Sequence, residues 1–157
     1  MNFTELPLGM PGRVFRSQMP FTVSDPHGTI FVRYQREGVS VVVLLADDEE
    51  CIQRTGRNLR SFYHEQGLDV LHLPIPDFGI PDKDSLQKAV SEAINYLKQG
   101  KNLAVHCNAG IGRTGMFIAC LVKIVMGKSG EGAIQWVRQY IPAAVEIEDQ
   151  KKMVLEI

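Results

Sequence analysis

Apolar positions along this chain alternate between two periods. Residues 39–47, VSVVVLLAD, form an unbroken, β-branched run, the pattern of a strand buried on both faces. LDVLHLPI at 68–75 and NLAVHC at 102–107 predict two further strands, and GRVFRS at 12–17 predicts a short edge strand. Elsewhere the period lengthens. Leu86, Ala89, Val90, Ala93, Ile94 and Leu97 recur at helical spacing, with Asp84 as cap and Gly100 as stop. Residues 25–38 predict a short helix with Asp25 as cap and Pro26 in its first turn. Residues 48–67, acidic first and basic later, suit one helix carried past an interruption at Gly56. Helices are also expected near 112–126, 130–141 and 146–157, whereas residues 1–11, broken by Pro7, Gly9 and Pro11, predict an irregular lead-in.

Strands alternating with helices imply an α/β fold. The expectation is a single domain over residues 1–157, with a central, mostly parallel sheet of four to five strands and helices on both faces. Ligands of such sheets bind beyond the carboxyl ends of the strands. Asp47 and Asp48 follow one strand, Pro76-Asp77-Phe78-Gly79 another, and Cys107 to Arg113 the third.

A length of 157 residues fits one domain, and 45% hydrophobic with 22% charged residues is ordinary for a globular chain. A formal net charge of -1 argues against nucleic-acid or membrane-surface partners, so any anion site must be local. Three cysteines are too few for a disulfide framework, which points to a reducing, cytoplasmic setting. The first residues lack a basic region followed by an apolar core, so no secretory leader is expected, and no apolar run is long enough to span a bilayer.

The candidate chemistry lies in NLAVHCNAGIGRTGMFIAC, residues 102–120, where a glycine-dense turn joins a strand to a helix. GIGRTG matches the dinucleotide pattern G-x-G-x-x-G. That function also needs a second strand ending in an acidic residue about twenty positions later. MGKSGEGAIQWV stands there instead, a helix break and a new helix. GKS at 127–129 is no Walker motif, because its first glycine would stand at Val122.

A phosphate cradle explains more of the letters. Between Cys107 and Arg113 the loop can turn successive N–H groups inward around a phosphoryl group, with a helix N-terminus behind it. Gly110 and Gly112 permit the required close approach. Arg113 supplies a planar fork for two oxygens, and the same inward dipoles favour a thiolate at Cys107.

HCNAGIGRTG resembles the signature of the cysteine-dependent protein tyrosine and dual-specificity phosphatases, with every fixed position filled. PIPDFGIPD is similar to the mobile acid loop of that family, with Ile75 standing where many tyrosine-specific members carry Trp. The spacing from Asp77 to Cys107 is similar to that of the compact dual-specificity members. The resemblance covers residues 12–157 and implies Cys107 as nucleophile, Arg113 as phosphate and transition-state ligand, Asp77 as general acid and then base, and Thr114 as the hydroxyl that helps Cys107 leave. Asn108, Ala109, Gly110, Ile111 and Gly112 would bind substrate, and His106 would orient the loop rather than act as a base. In AVEIEDQKKMV, Gln150 best matches the family's water-positioning glutamine, while Glu146 occupies a neighbouring position where some relatives also carry glutamine. No cofactor and no metal are implied.

Phosphotyrosine proteins or peptides are the expected substrates and partners of a monomeric enzyme, with phosphoserine and phosphothreonine as further substrates. The loop lacks the Lys or Arg that phosphoinositide-directed relatives tend to carry. A non-catalytic phosphopeptide-binding domain and a phosphoinositide or RNA 5′-phosphatase of the same fold are the alternatives.

Other residues carry simpler expectations. Asp82 is a substitute acid or, more simply, a helix-capping residue; Cys120 is core; His27, His64 and His72 are surface or satisfied core residues. Arg54, Arg57 and Arg60 form a solvated helix face or a substrate-facing basic stripe, and Glu49 and Glu50 complement a helix dipole. A reversible disulfide between Cys51 and Cys107 is a further expectation.

Overall fold

β-Branched runs at the sheet centre leave little choice of layer. In the computed structural model, which describes residues 2–157, strand β3 (Val39–Leu44) is flanked by parallel partners on both sides. The strands are β1 (Phe3–Leu6), β2 (Val14–Ser17), β3, β4 (Asp69–His72) and β5 (Asn102–His106). They lie in the order β1-β2-β5-β3-β4, parallel except for β1. Side chains of β3 alternate between the faces. Val41 and Val43 enter a core with α4 (Lys83–Lys98), α5 (Gly112–Val125), α6 (Gly130–Arg138) and α7 (Glu148–Glu156), while Val42 and Leu44 enter a second core with α1 (Thr29–Arg36) and α3 (Leu59–Glu65). The α/β expectation, a mostly parallel sheet covered on both faces, is what forms.

Several boundaries differ. Residues 12–17 do not form an edge strand, and 1–11 is not wholly irregular: Phe3–Leu6 forms β1, pairs antiparallel with β2 and takes the edge itself. Its four residues bury only Phe3 and Leu6, too short a pattern to read, and the Pro7, Gly9 and Pro11 breaks serve the β1–β2 connection. Met1 lies outside the described residues. The expected 48–67 helix is two, α2 (Asp48–Thr55) and α3, because Gly56 adopts φ 75 and Asn58 starts a new helix by accepting from Ser61 N. Asp82, not Asp84, caps α4, accepting from Ser85 N at 3.1 Å. Asp25 still serves α1 across an intervening turn, with its carboxylate accepting from Thr29 N and Ile30 N. Among the described residues no helix is long and apolar enough to cross a membrane.

The register aims three loops at one place. Leu44 is level with both His72 and His106, so the chain after β3 (α2), after β4 (residues 73–82) and after β5 (residues 107–111) emerges side by side. From Gly112 through Val122, α5 is buried throughout, a rigid post behind the last of these loops.

Candidate active site

Cys107 leaves the middle of the sheet and lies at the floor of a pocket of about 120 Å³, with only 2% of its surface exposed. Asp77, Phe78, Asn108, Ala109, Gly112, Arg113, Glu146 and Gln150 complete the lining. Every catalytic residue expected from the sequence except the buried Thr114 therefore faces this pocket, and Thr114 Oγ1 donates to Cys107 Sγ at 3.1 Å. Ile111, the residue preceding α5, offers no side-chain cap, so the first-turn amides of that helix are suited to an anion.

The loop can pass over Cys107 because Gly110 adopts φ 74; a Cβ there would stand 2.2 Å from Ser17 O and 2.7 Å from Arg16 Nη2. The close approach serves Arg16, a residue that sequence reasoning left within a strand. Its buried guanidinium donates to Gly110 O at 3.0 and 2.8 Å and to Ala109 O at 3.0 Å. Met19 N donates to Asn108 O at 2.8 Å. Loop carbonyls are thus tied outward, which leaves the amides between them free to face the pocket.

Arg113 is held by a residue that the sequence offered only as a favourable helix charge. Glu50, in the first turn of α2, accepts from Nη1 and Nη2 at 2.8 and 2.9 Å, a two-point ion pair. Ile75 O accepts from Nη1 at 2.9 Å, and Asp77 Oδ1 lies 3.2 Å from Nη2. Burial works against the charge, yet Glu50, together with Cys107 and Asp77, holds the pKa of Arg113 above its ordinary value. Asp77 reaches the site, and Phe78 N donates to its Oδ1 at 3.1 Å. Phe78 takes φ 56 and is 61% exposed at the pocket rim.

His106 is fully buried beneath the loop. Its Nδ1 must donate to Cys107 O, 2.9 Å away, since a carbonyl only accepts; Nε2 of the neutral ring then accepts from Tyr63 O–H at 2.8 Å. Burial pushes its pKa down to about 4 from the ordinary 6.5. Between those values the unfolded chain binds more protons, so stability falls as pH drops through this window and levels off below it. The loss is about 3 kcal/mol. Denaturant midpoints from pH 7 to pH 4 should show this slope in the wild type and lose it in His106→Gln; parallel slopes would refute it.

Gln150 is buried, with Oε1 accepting from Glu146 N at 3.1 Å and Nε2 donating to Gly79 O at 3.3 Å. The basic stripe of residues 54, 57 and 60 is committed locally. Arg54 pairs with Glu50 at 3.6 Å, Arg57 stacks over Phe21, and Arg60 pairs with Asp48. Asn108 also borders a neighbouring cleft with Arg54 and Gln53. Cys51 is a buried thiol pushed up to about 12 by burial and by Glu50, Asp48 and Asp47, and it packs in the core on the opposite face of the sheet from Cys107. That setting favours the inert thiol and gives the expected disulfide no support. Among the described residues no three His, Cys, Asp or Glu side chains are grouped to hold a metal ion.

Comparison with known proteins gives matches at three levels. Residues 22–127 match the family model described as "Polymorphic toxin system, DSP-PTPase phosphatase". Cyclin-dependent kinase inhibitor 3 of Rattus norvegicus is 32% identical over 96 residues, 53% of this chain and 45% of that protein. The chain spans about half the length of the curated relatives it matches. Among solved structures, Tk-PTP is 30% identical with a TM-score of 0.79, covering 92% of this chain and 89% of that one. Kinase associated phosphatase, with its catalytic cysteine replaced by serine, gives a TM-score of 0.88 at 21% identity over 99% and 93% of the two chains, a likeness of fold.

Proposed function

We propose, since this chain belongs to the DSP-PTPase phosphatase family, that it hydrolyses phosphotyrosine in proteins through a phosphocysteine intermediate and without a metal ion. The observation that carries the proposal is a buried Cys107 whose sulfur accepts from Thr114 at the floor of a pocket walled by Arg113 and Asp77. A thiolate there attacks phosphorus. Arg113 and the amides of residues 108–113 stabilise the equatorial oxygens as charge develops, and Asp77 protonates the departing oxygen. Glu50 and Ile75 O pre-orient the Arg113 fork, so little reorganisation remains for the reaction itself. The bond from Thr114 eases departure of the thiolate when water releases the phosphate.

The exposed Phe78 ring at the rim offers an apolar wall to a phenyl group, which favours phosphotyrosine over phosphoserine and phosphothreonine. Phenolate is also the better leaving group. The three free, buried cysteines suit a reducing, cytoplasmic compartment in which Cys107 stays a thiol. The test is hydrolysis, with chelator present, of matched phosphotyrosyl, phosphoseryl and phosphoinositide substrates. Chelator-resistant turnover with phosphotyrosyl peptide fastest is expected. Faster phosphoinositide turnover would reassign the substrate, and no turnover by folded protein would favour a phosphopeptide-binding domain.

A further inference from the structure

We propose that Glu146 is a second carboxylate that takes a proton from the attacking water in the second half-reaction, an inference that rests on the phosphocysteine reading above. Glu146 lines the same pocket as Cys107 and Asp77. Its side chain lies against the first turn of α5: a Cβ added at Gly112 would stand 2.1 Å from Glu146 Oε1 and 3.0 Å from its Cδ. Gly112 therefore makes room for a carboxylate beside the phosphate cradle as well as shaping the cradle. That carboxylate has no hydrogen bond or ion pair with another described residue, so both oxygens can accept from water.

The backbone behind Glu146 is held in an unfavourable shape. Val145 takes φ 60, rare and costly for a β-branched residue, and such strain persists only where surrounding contacts enforce it. Those contacts are present. Arg138 Nε donates to Ala144 O at 2.9 Å and Arg138 Nη2 to Val145 O at 3.1 Å, while Gln150 Oε1 accepts from Glu146 N. Gln150 Nε2 donates in turn to Gly79 O in the acid loop. Each end of the Gln150 amide thus holds one backbone group, which makes Gln150 a positioning residue for the two carboxylate-bearing segments, and its remaining N–H and lone pair can seat a water beside Glu146. Asp77 is placed differently. Its carboxylate accepts from Phe78 N and pairs with Arg113, on the wall shared with the leaving group's aromatic neighbour Phe78.

The steps balance. In the first, the Cys107 S–P bond forms, the P–O bond to the leaving group breaks, and the Asp77 proton moves to the departing oxygen. In the second, water oxygen bonds to phosphorus, the S–P bond breaks with its electron pair returning to Cys107, and the water proton moves to Glu146. Solvent then takes the proton from Glu146 and returns one to Asp77.

Rapid-quench kinetics with p-nitrophenyl phosphate, a substrate whose leaving group needs little protonation, tests this assignment. Glu146→Gln should keep the burst rate of nitrophenolate release within about twofold of wild type, while steady-state turnover drops about 10²-fold. Phosphocysteine should accumulate towards one per enzyme by mass spectrometry. In Glu146→Ala, added formate should restore turnover by acting in place of the missing carboxylate, a rescue that a carboxylate serving only the helix N-terminus would not show. Unchanged turnover without accumulation, or equal slowing of burst and steady state, would overturn the role of Glu146 and leave the phosphatase reading intact. Wild-type protein that forms no phosphocysteine would instead overturn that reading.

Discussion

Cys107→Ser is expected to lose aryl phosphatase turnover by about 10⁴-fold or more, about 5.5 kcal/mol of transition-state stabilisation. The hydroxyl is nearly the size of the thiol, so the buried position at the end of β5 tolerates the change and the Thr114 contact survives as an O–H to O bond. What disappears is the nucleophile, because an alcohol with no general base beside it is a far weaker nucleophile than sulfur. Arg113, held by Glu50 and Ile75 O, and the loop braced by Arg16 are untouched. Binding of a phosphotyrosyl peptide should therefore remain within a few-fold of wild type by calorimetry while turnover vanishes. Substantial turnover in the serine variant would overturn the nucleophile assignment. Loss of binding together with turnover, in a folded variant, would show that the thiol is needed to shape the cradle.

Arg113→Lys is expected to lower kcat/KM by about 10³-fold, near 4 kcal/mol, and to destabilise the fold by about 2–3 kcal/mol. Lysine keeps the charge but has no fork. It cannot meet both Glu50 oxygens, Ile75 O and two phosphate oxygens together, and a largely buried Glu50 is left poorly paired. Glu50→Gln is the useful companion, since it keeps the size of the acceptor and removes its charge. If Glu50 acts by orienting Arg113, the two substitutions combined cost far less activity than their separate effects multiplied. Full multiplication of the two effects would mean that Glu50 acts elsewhere.

Legibility followed the range of the contacts. The candidate phosphate cradle was readable because its parts are contiguous: a cysteine, five residues of turn, an arginine and a hydroxyl, with the main chain available to supply the remaining donors. The acid loop was readable for the same reason, as a short run after a strand. β1 was not, since four residues with two buried side chains carry no period, and the division of α2 from α3 at Gly56 was masked by continuous helical polarity.

The sequence by itself determined the parallel strands of the sheet, the strand-to-helix turn that presents Cys107, and the placing of Arg113, Thr114 and Asp77 in or beside loops at the carboxyl ends of those strands, because hydrophobic periodicity and local turn chemistry act over a few residues. Only the tertiary structure decided who supports them. Arg16 meets Gly110 across 94 positions, Glu50 meets Arg113 across 63, and Tyr63 meets His106 across 43. Glu146 reaches the pocket only through a strained turn and a missing Cβ at Gly112. Glu50 carries the letters of an ordinary helix-start acid, and Arg16 those of an ordinary strand residue. Their roles arise from parallel strands that bring distant loops level at one edge of the sheet, and the spacing of residues within a single segment carries no record of that register.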